Sequence, residues 1–150
     1  MSALVASATP RPVAPNLLLV TIDTLRADRV GAYGYTAGQT PVMDRLAREG
    51  VLVEDAIAAV PQTGPSHASL FTGRHPFEHG LRDNTHRGLD KRLPTLASLL
   101  QAGGYDTAAF IAAYPVARPS GLDRGFAVFD DPFGAHERLT TRAGTASALV

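Results

Sequence analysis

The sequence predicts an α/β fold in which a mostly parallel sheet is flanked by helices. Three observations carry that prediction. Asn16 to Ile22 (NLLLVTI) is a short, nearly continuous apolar run of the kind that suits a strand buried on both faces. Thr40-Pro41 then supplies a helix start, and Gly50 supplies a stop. The alternation of strand-like and helix-like segments continues down the chain, as parallel sheets with crossover helices require.

The elements follow in order. After the first strand, Val42, Leu46 and Ala47 give the helix beginning at Pro41 one apolar stripe. Val51 to Val60 reads as a second strand, with Val51, Val53 and Ile57 toward a core and Glu54 and Asp55 interrupting it. Pro65 to Thr72 reads as a helix closed by Gly73. Pro94 to Ala102 is another, with Leu96, Leu99 and Leu100 on one face and Gly103-Gly104 at its end. Tyr105 to Ala112 is a third buried-strand candidate, and Phe126 to Phe129 is a short edge strand. A polar helix is expected from His136 onward. Residues 1–15 form a leader punctuated by Pro10, Pro12 and Pro15, which holds no helix and is expected to be flexible. Residues 16–150 are expected to be the N-terminal portion of one catalytic domain.

Composition narrows the function classes. The 150 residues carry fourteen basic and fourteen acidic side chains, a formal net charge of zero, which gives no support to a nucleic-acid partner. There are no cysteines, so disulfides, thiolate metal sites and cysteine nucleophiles are excluded. No apolar run reaches the roughly 18–20 residues of a membrane span. The first residues lack a basic segment ahead of their apolar stretch, so no signal peptide is evident and the compartment stays open.

Parallel sheets place ligands beyond the carboxyl ends of their strands. Asp23 and the turn after Val60 both sit at such ends, so they are expected to face one crevice. Asp23 is a hard-oxygen donor suited to a divalent metal, although a strand-end aspartate is also a common turn cap. In Thr63-Gly64-Pro65-Ser66-His67, Thr63 precedes a helix N-terminus, whose unpaired N–H groups and partial positive charge favour an anion. From that segment alone, Thr63 or Ser66 reads first as a simple cap. Arg26 and Asp28 are spaced for a structural ion pair.

Histidines 67, 75, 79 and 86 cluster in the middle of the chain. Pro76 and Gly80 argue against a helical two-histidine metal face from His75 and His79. His67 is placed to lean toward the anion site, or to bond a neighbouring carbonyl. Asn84, in the polar loop DNTHRG, offers an amide N–H to a tetrahedral ester oxygen or serves only as a turn residue.

Together these pieces are more specific than any one of them. NLLLVTIDTLRADRVGAYGY, followed by TPVMDRLAREGVLVEDAIAAVPQTGPSHASLFTGRHPFEHGLRDN, resembles the opening of sulfatase-family proteins of the alkaline phosphatase superfamily. The likeness runs on through LPTLASLLQAGGYDTAAF and GLDRGFAVFDD, covering Asn16 to Asp131. It implies an alkaline-phosphatase-like sheet, incomplete in this chain, and a metal-dependent hydrolase of sulfate or phosphate esters of small molecules, glycans or lipids.

In sulfatases the pattern C/S-x-P-S-R carries the residue oxidised to formylglycine. Here Thr63 takes that position and His67 replaces the arginine. Oxidised threonine would be a ketone, not an aldehyde. The chain therefore looks more like the threonine-nucleophile branches of the superfamily, which are phosphodiesterase-like. By that resemblance Thr63 is nucleophile and metal ligand, Asp23 is a metal ligand, and Asn84 and His67 contact substrate. Sulfatases tend to have two adjacent aspartates after the first strand, where this chain has Ile22-Asp23. A divalent ion (Zn, Mn, Ca or Mg) wants about four to six ligands. The resemblance puts the remaining ones, an Asp-His pair among them, beyond residue 150. The missing C-terminal part of the domain is therefore an expected partner, and the chain alone is expected to be inactive. The alternatives are a catalytically inactive fragment and a small anion-binding module.

Overall fold

The computed structural model describes residues 15–85 and 88–133. Most of the leader, His86 and the helix expected from His136 lie outside the described residues.

The fold class is α/β. Four α-helical elements are present among the described residues: α1 (Pro41–Glu49), α2 (Thr63–Thr72), α3 (Pro76–His79) and α4 (Leu96–Ala102). Two strands, β1 (Ala108–Phe110) and β2 (Val128–Asp130), pair in parallel with Ala108 opposite Val128 and Phe110 opposite Asp130. Short 3-10 turns occupy Ala27–Arg29, Gly31–Tyr33, Tyr114–Val116 and Arg118–Ser120. No helix among the described residues is long and apolar enough to cross a membrane.

Local signals placed α1, α2 and α4, but not the single turn α3, which Pro76 opens and Gly80 closes although both read as helix breakers in the sequence. α1 starts at Pro41, where the ring suits the first turn, and stops before Gly50. The hydroxyl of Thr40 does not cap α1, however. It accepts the Gly31 N–H at 2.8 Å and donates to Asp44 Oδ1 at 2.9 Å, tying α1 to the preceding turn. α2 ends at Gly73, whose φ of 65° is the left-handed geometry that glycine adopts without strain. It begins two residues earlier than the proline suggested, so Thr63 is its first residue and Pro65 its third. α4 begins after Thr95, which forms a reciprocal capping box with Ser98. Thr95 is buried and donates its hydroxyl to the Arg124 carbonyl at 2.9 Å.

The strands differ from expectation. Tyr105 to Ala112 and Phe126 to Phe129 do supply the paired strands, shortened to three residues each. Neither Asn16 to Ile22 nor Val51 to Val60 joins the sheet. Both are irregular and largely exposed, and 51–60 is broken by a turn at Glu54-Asp55: Leu18 is 86% and Ile57 92% accessible. The physical reason is that an apolar run marks a segment suited to burial but supplies neither a partner strand nor a covering helix. The described residues contain none for these two segments. The stripe on α1 is open for the same reason, with Val42 and Leu46 exposed.

The core sits on the other side of α2. Ala68, Leu81, Leu89, Val116 and Leu122 form it, with Phe71, Leu93, Ile111 and Ala113 packed against it. α2 is thus anchored through its middle, while its N-terminus faces the end of the 16–22 segment.

Candidate active site

Segment 16–22 ends in a turn at Asp23-Thr24. Gln62 is extended and delivers Thr63 to the first position of α2. The two ends meet. The Thr63 hydroxyl donates to the Asp23 carboxylate, with Oγ1 3.0 Å from Oδ2 and 3.2 Å from Oδ1. They line a cleft of about 450 Å³ together with Thr21, Thr24, Ser66 and His67. Asp23 and Thr63 therefore face one cleft, as expected, although neither segment leading into it is a strand.

Asn84 reaches the same helix end from the loop after α3. Its Oδ1 accepts the N–H of buried Gly64 at 2.9 Å. A backbone N–H only donates, so the amide oxygen must face it, and Nδ2 is left as the donor on this side chain. Ser66 N–H bonds the Gln62 carbonyl at 3.0 Å, and Pro65 has no N–H. Most first-turn donors are therefore already engaged, in contrast to the expected open anion seat.

His67 braces rather than reaches. Its Nδ1 lies 2.8 Å from the Thr63 carbonyl, one turn back on α2, and its Nε2 lies 3.1 Å from Thr21 Oγ1. A carbonyl only accepts, so Nδ1 carries a proton and donates to it, and Nε2 is paired with the Thr21 hydroxyl. His67 thus links the backbone of Thr63 to the strand-like segment that carries Asp23.

His79 was read only as a poor metal ligand, and the structure gives it another part. It is fully buried. Leu81 N–H donates to its Nδ1 at 3.2 Å, so its proton sits on Nε2, which donates to Ser69 Oγ at 3.0 Å. Burial pushes its pKa below the ordinary imidazole value. Leu81 enters the core two residues later, and Asn84 follows. No signal along the chain marks this role, because it depends on packing between α2 and α3. The neighbouring His75 stacks on Phe77 instead. Arg26 and Asp28 form the expected ion pair, 2.6 Å at its shortest. Both are exposed, so the pair contributes little to stability.

The donor set at the cleft suits a hard cation. The two Asp23 oxygens and Thr63 Oγ1 are oxygen donors that converge, as divalent metals prefer. They are a partial shell, since no group of three or more His, Cys, Asp or Glu residues able to hold a metal occurs among the described residues.

A family model described as Sulfatase matches residues 15–134. The chain belongs to the sulfatase family. It is 39% identical to mouse steryl-sulfatase over 113 residues, covering 69% of this chain and 18% of that protein. It is 33% identical over 147 residues to the delta 4,5-hexuronate-2-O-sulfatase of Bacteroides thetaiotaomicron, covering 87% of this chain and 30% of that protein. Among solved structures it resembles the phosphonate monoester hydrolase of Agrobacterium radiobacter, with a TM-score of 0.62 at 36% identity over 65% of this chain and 19% of that one. It also resembles a 2-O GAG sulfatase, with a TM-score of 0.63 at 32% identity over 79% of this chain and 26% of that one. The chain therefore spans less than a third of the length of these sulfatase-family relatives.

Proposed function

We propose that this chain carries the nucleophile half of an ester hydrolase site, with Thr63 as nucleophile and phosphate esters favoured over sulfate esters. The observation that carries the reading is the contact between Thr63 Oγ1 and both oxygens of Asp23 at the head of α2. The likeness to a phosphonate monoester hydrolase supports the preference for phosphorus. So does the chemistry of threonine, whose β-carbon bears a methyl group and cannot become an aldehyde.

Sulfatase-family proteins generally use a divalent metal ion. Asp23 and Thr63 would hold part of its shell, and the ion when bound would supply Lewis-acid polarisation of the ester and acidify the threonine hydroxyl. The remaining ligands would come from outside this chain, in the rest of a sulfatase-type domain. The exposed segments 16–22 and 51–60 are the surfaces such a remainder would cover.

The chain's own residues do the following. Asp23 accepts the Thr63 proton through a hydrogen bond already in place and so raises the nucleophilicity of Oγ1. Oγ1 attacks phosphorus in line. The Oγ–P bond forms, the bond from phosphorus to the leaving oxygen breaks, and that oxygen takes up a proton from solvent while Asp23 keeps the one from Thr63. Asn84 donates from Nδ2 to a non-bridging oxygen. His67 holds the Thr63 carbonyl and thereby the start of α2 in register with Thr21. Water then hydrolyses the phospho-threonine.

The test is turnover by a protein that extends this sequence through a full sulfatase-length domain. Thr63→Ala should lower kcat for phosphate esters about a thousandfold or more, as loss of a nucleophile does, while Thr63→Ser retains activity. Wild-type rates in Thr63→Ala would overturn the assignment. An anion-binding module is the weaker reading, because the first-turn N–H of Gly64 is already held by Asn84.

A further inference from the structure

Thr24 is the one non-glycine residue with a positive φ among the described residues, at 57°. A β-branched side chain there is a genuine outlier, because the left-handed region crowds Cβ against the backbone. Such outliers persist only where the surroundings impose them. Thr24 follows Asp23 directly, in the turn that ends segment 16–22, and it lines the same cleft. Its hydroxyl makes no hydrogen bond to another described residue. The conformation is therefore not held by a side-chain bond of its own. What is held is Asp23, whose two oxygens both receive the Thr63 hydroxyl.

We propose that Thr24 is a positioning residue whose left-handed backbone, and not its hydroxyl, directs the Asp23 carboxylate onto Thr63. The φ of Thr24 sets the angle between Asp23 and the turns at 27–33 that follow it, where Val30 is buried and the Tyr33 hydroxyl donates to the Val53 carbonyl. With those turns held, a different φ at 24 would draw Asp23 away from the head of α2. The backbone conformation is the functional feature, so any residue that tolerates it serves. The inference rests on reading Asp23 and Thr63 as the site pair, and its test is independent of turnover.

These 150 residues contain no cysteine, so in this chain a Cys pair introduced at 23 and 63 is the only thiol pair present. The proximity of the two positions is read from the rate of bridging by dibromobimane, which fluoresces when it joins two thiols. The pair is made in the Thr24 background and with Thr24→Gly, Thr24→Asn, Thr24→Val and Thr24→Pro. Gly and Asn accept a left-handed φ, Val keeps the branch without the hydroxyl, and Pro forbids any positive φ. Bridging should stay within about twofold of the parent for Gly, Asn and Val, and fall about tenfold for Pro as the effective concentration drops. A Thr24→Pro chain that melts like the parent and bridges at the parent rate overturns the proposal. So does a Thr24→Val chain that bridges tenfold more slowly, since the hydroxyl would then matter. Should the Pro chain fail to fold, thermal melting of the others decides. Gly and Asn melting at or above Val upholds the left-handed requirement, and both melting below Val overturns it.

Discussion

Removing the Asn84 amide isolates the interaction that holds the head of α2. Oδ1 of Asn84 accepts the Gly64 N–H at 2.9 Å, and Gly64 is buried. Asn84→Ala therefore deletes one neutral hydrogen bond, worth about 0.5–1.5 kcal/mol net, and leaves a buried donor whose desolvation costs about 1–3 kcal/mol. The two figures overlap, and access of water to this exposed loop lowers the second, so the expected loss is about 1–2 kcal/mol. For a chain of this size that corresponds to a fall in Tm of about 2–8 °C. Asn84→Asp retains an acceptor and adds a negative charge at a helix N-terminus, which is favourable by about 0.3–1 kcal/mol. Thermal melting followed by circular dichroism, with amide exchange at Gly64, measures both variants. Asn84→Ala should melt lower and expose the Gly64 amide to exchange, and Asn84→Asp should melt at or above wild type. An Asn84→Ala chain with unchanged melting and a protected Gly64 amide would refute the reasoning.

Two further predictions concern packing and pH. At Gly125 an added Cβ would lie 2.1 Å from the Ser98 nitrogen and 2.5 Å from the Ala97 carbonyl carbon, and φ is 88°. Gly125→Ala should therefore prise the start of α4 from the 121–125 turn and destabilise by about 2–4 kcal/mol, seen as a lower denaturation midpoint with Ser98 amide protection lost. His79 is held neutral by burial, with Leu81 donating to its Nδ1. Its folded pKa lies below the unfolded value, so its share of stability is complete above about pH 6.5 and falls as pH drops through 6.5 toward the folded pKa. His79→Gln should flatten that part of the curve of denaturation midpoint against pH, and an unchanged slope would show that another group titrates there.

The parts of the fold set by neighbours along the chain were legible in the sequence. Pro41, Gly50 and Gly73 bound their helices by φ preference and a missing N–H, which act locally. Pro65 misled by two residues because the third helical position tolerates proline as well as the first does. The sheet was only partly legible. The apolar runs 105–112 and 126–129 found each other, whereas 16–22 and 51–60 have no partner among the described residues, and pairing is a long-range property. The meeting of Asp23 and Thr63 was foreseeable from an aspartate that closes an apolar run and a threonine at a helix head. Thr24, Thr21 and His79 were not, because a backbone torsion, a bond across 46 positions and burial between α2 and α3 leave no mark in residue type. Asn84 was placed near the ester by spacing, yet its carbonyl oxygen bonds Gly64, a contact that spacing did not reveal.

The most direct measurement is mass mapping of the extended, sulfatase-length protein after acid quench during turnover of a phosphate ester. The account predicts one phosphoryl group on the peptide that begins α2, attached at Thr63 and absent in Thr63→Ala. An active enzyme with no covalent adduct at that threonine, or with the adduct on another residue, would contradict it.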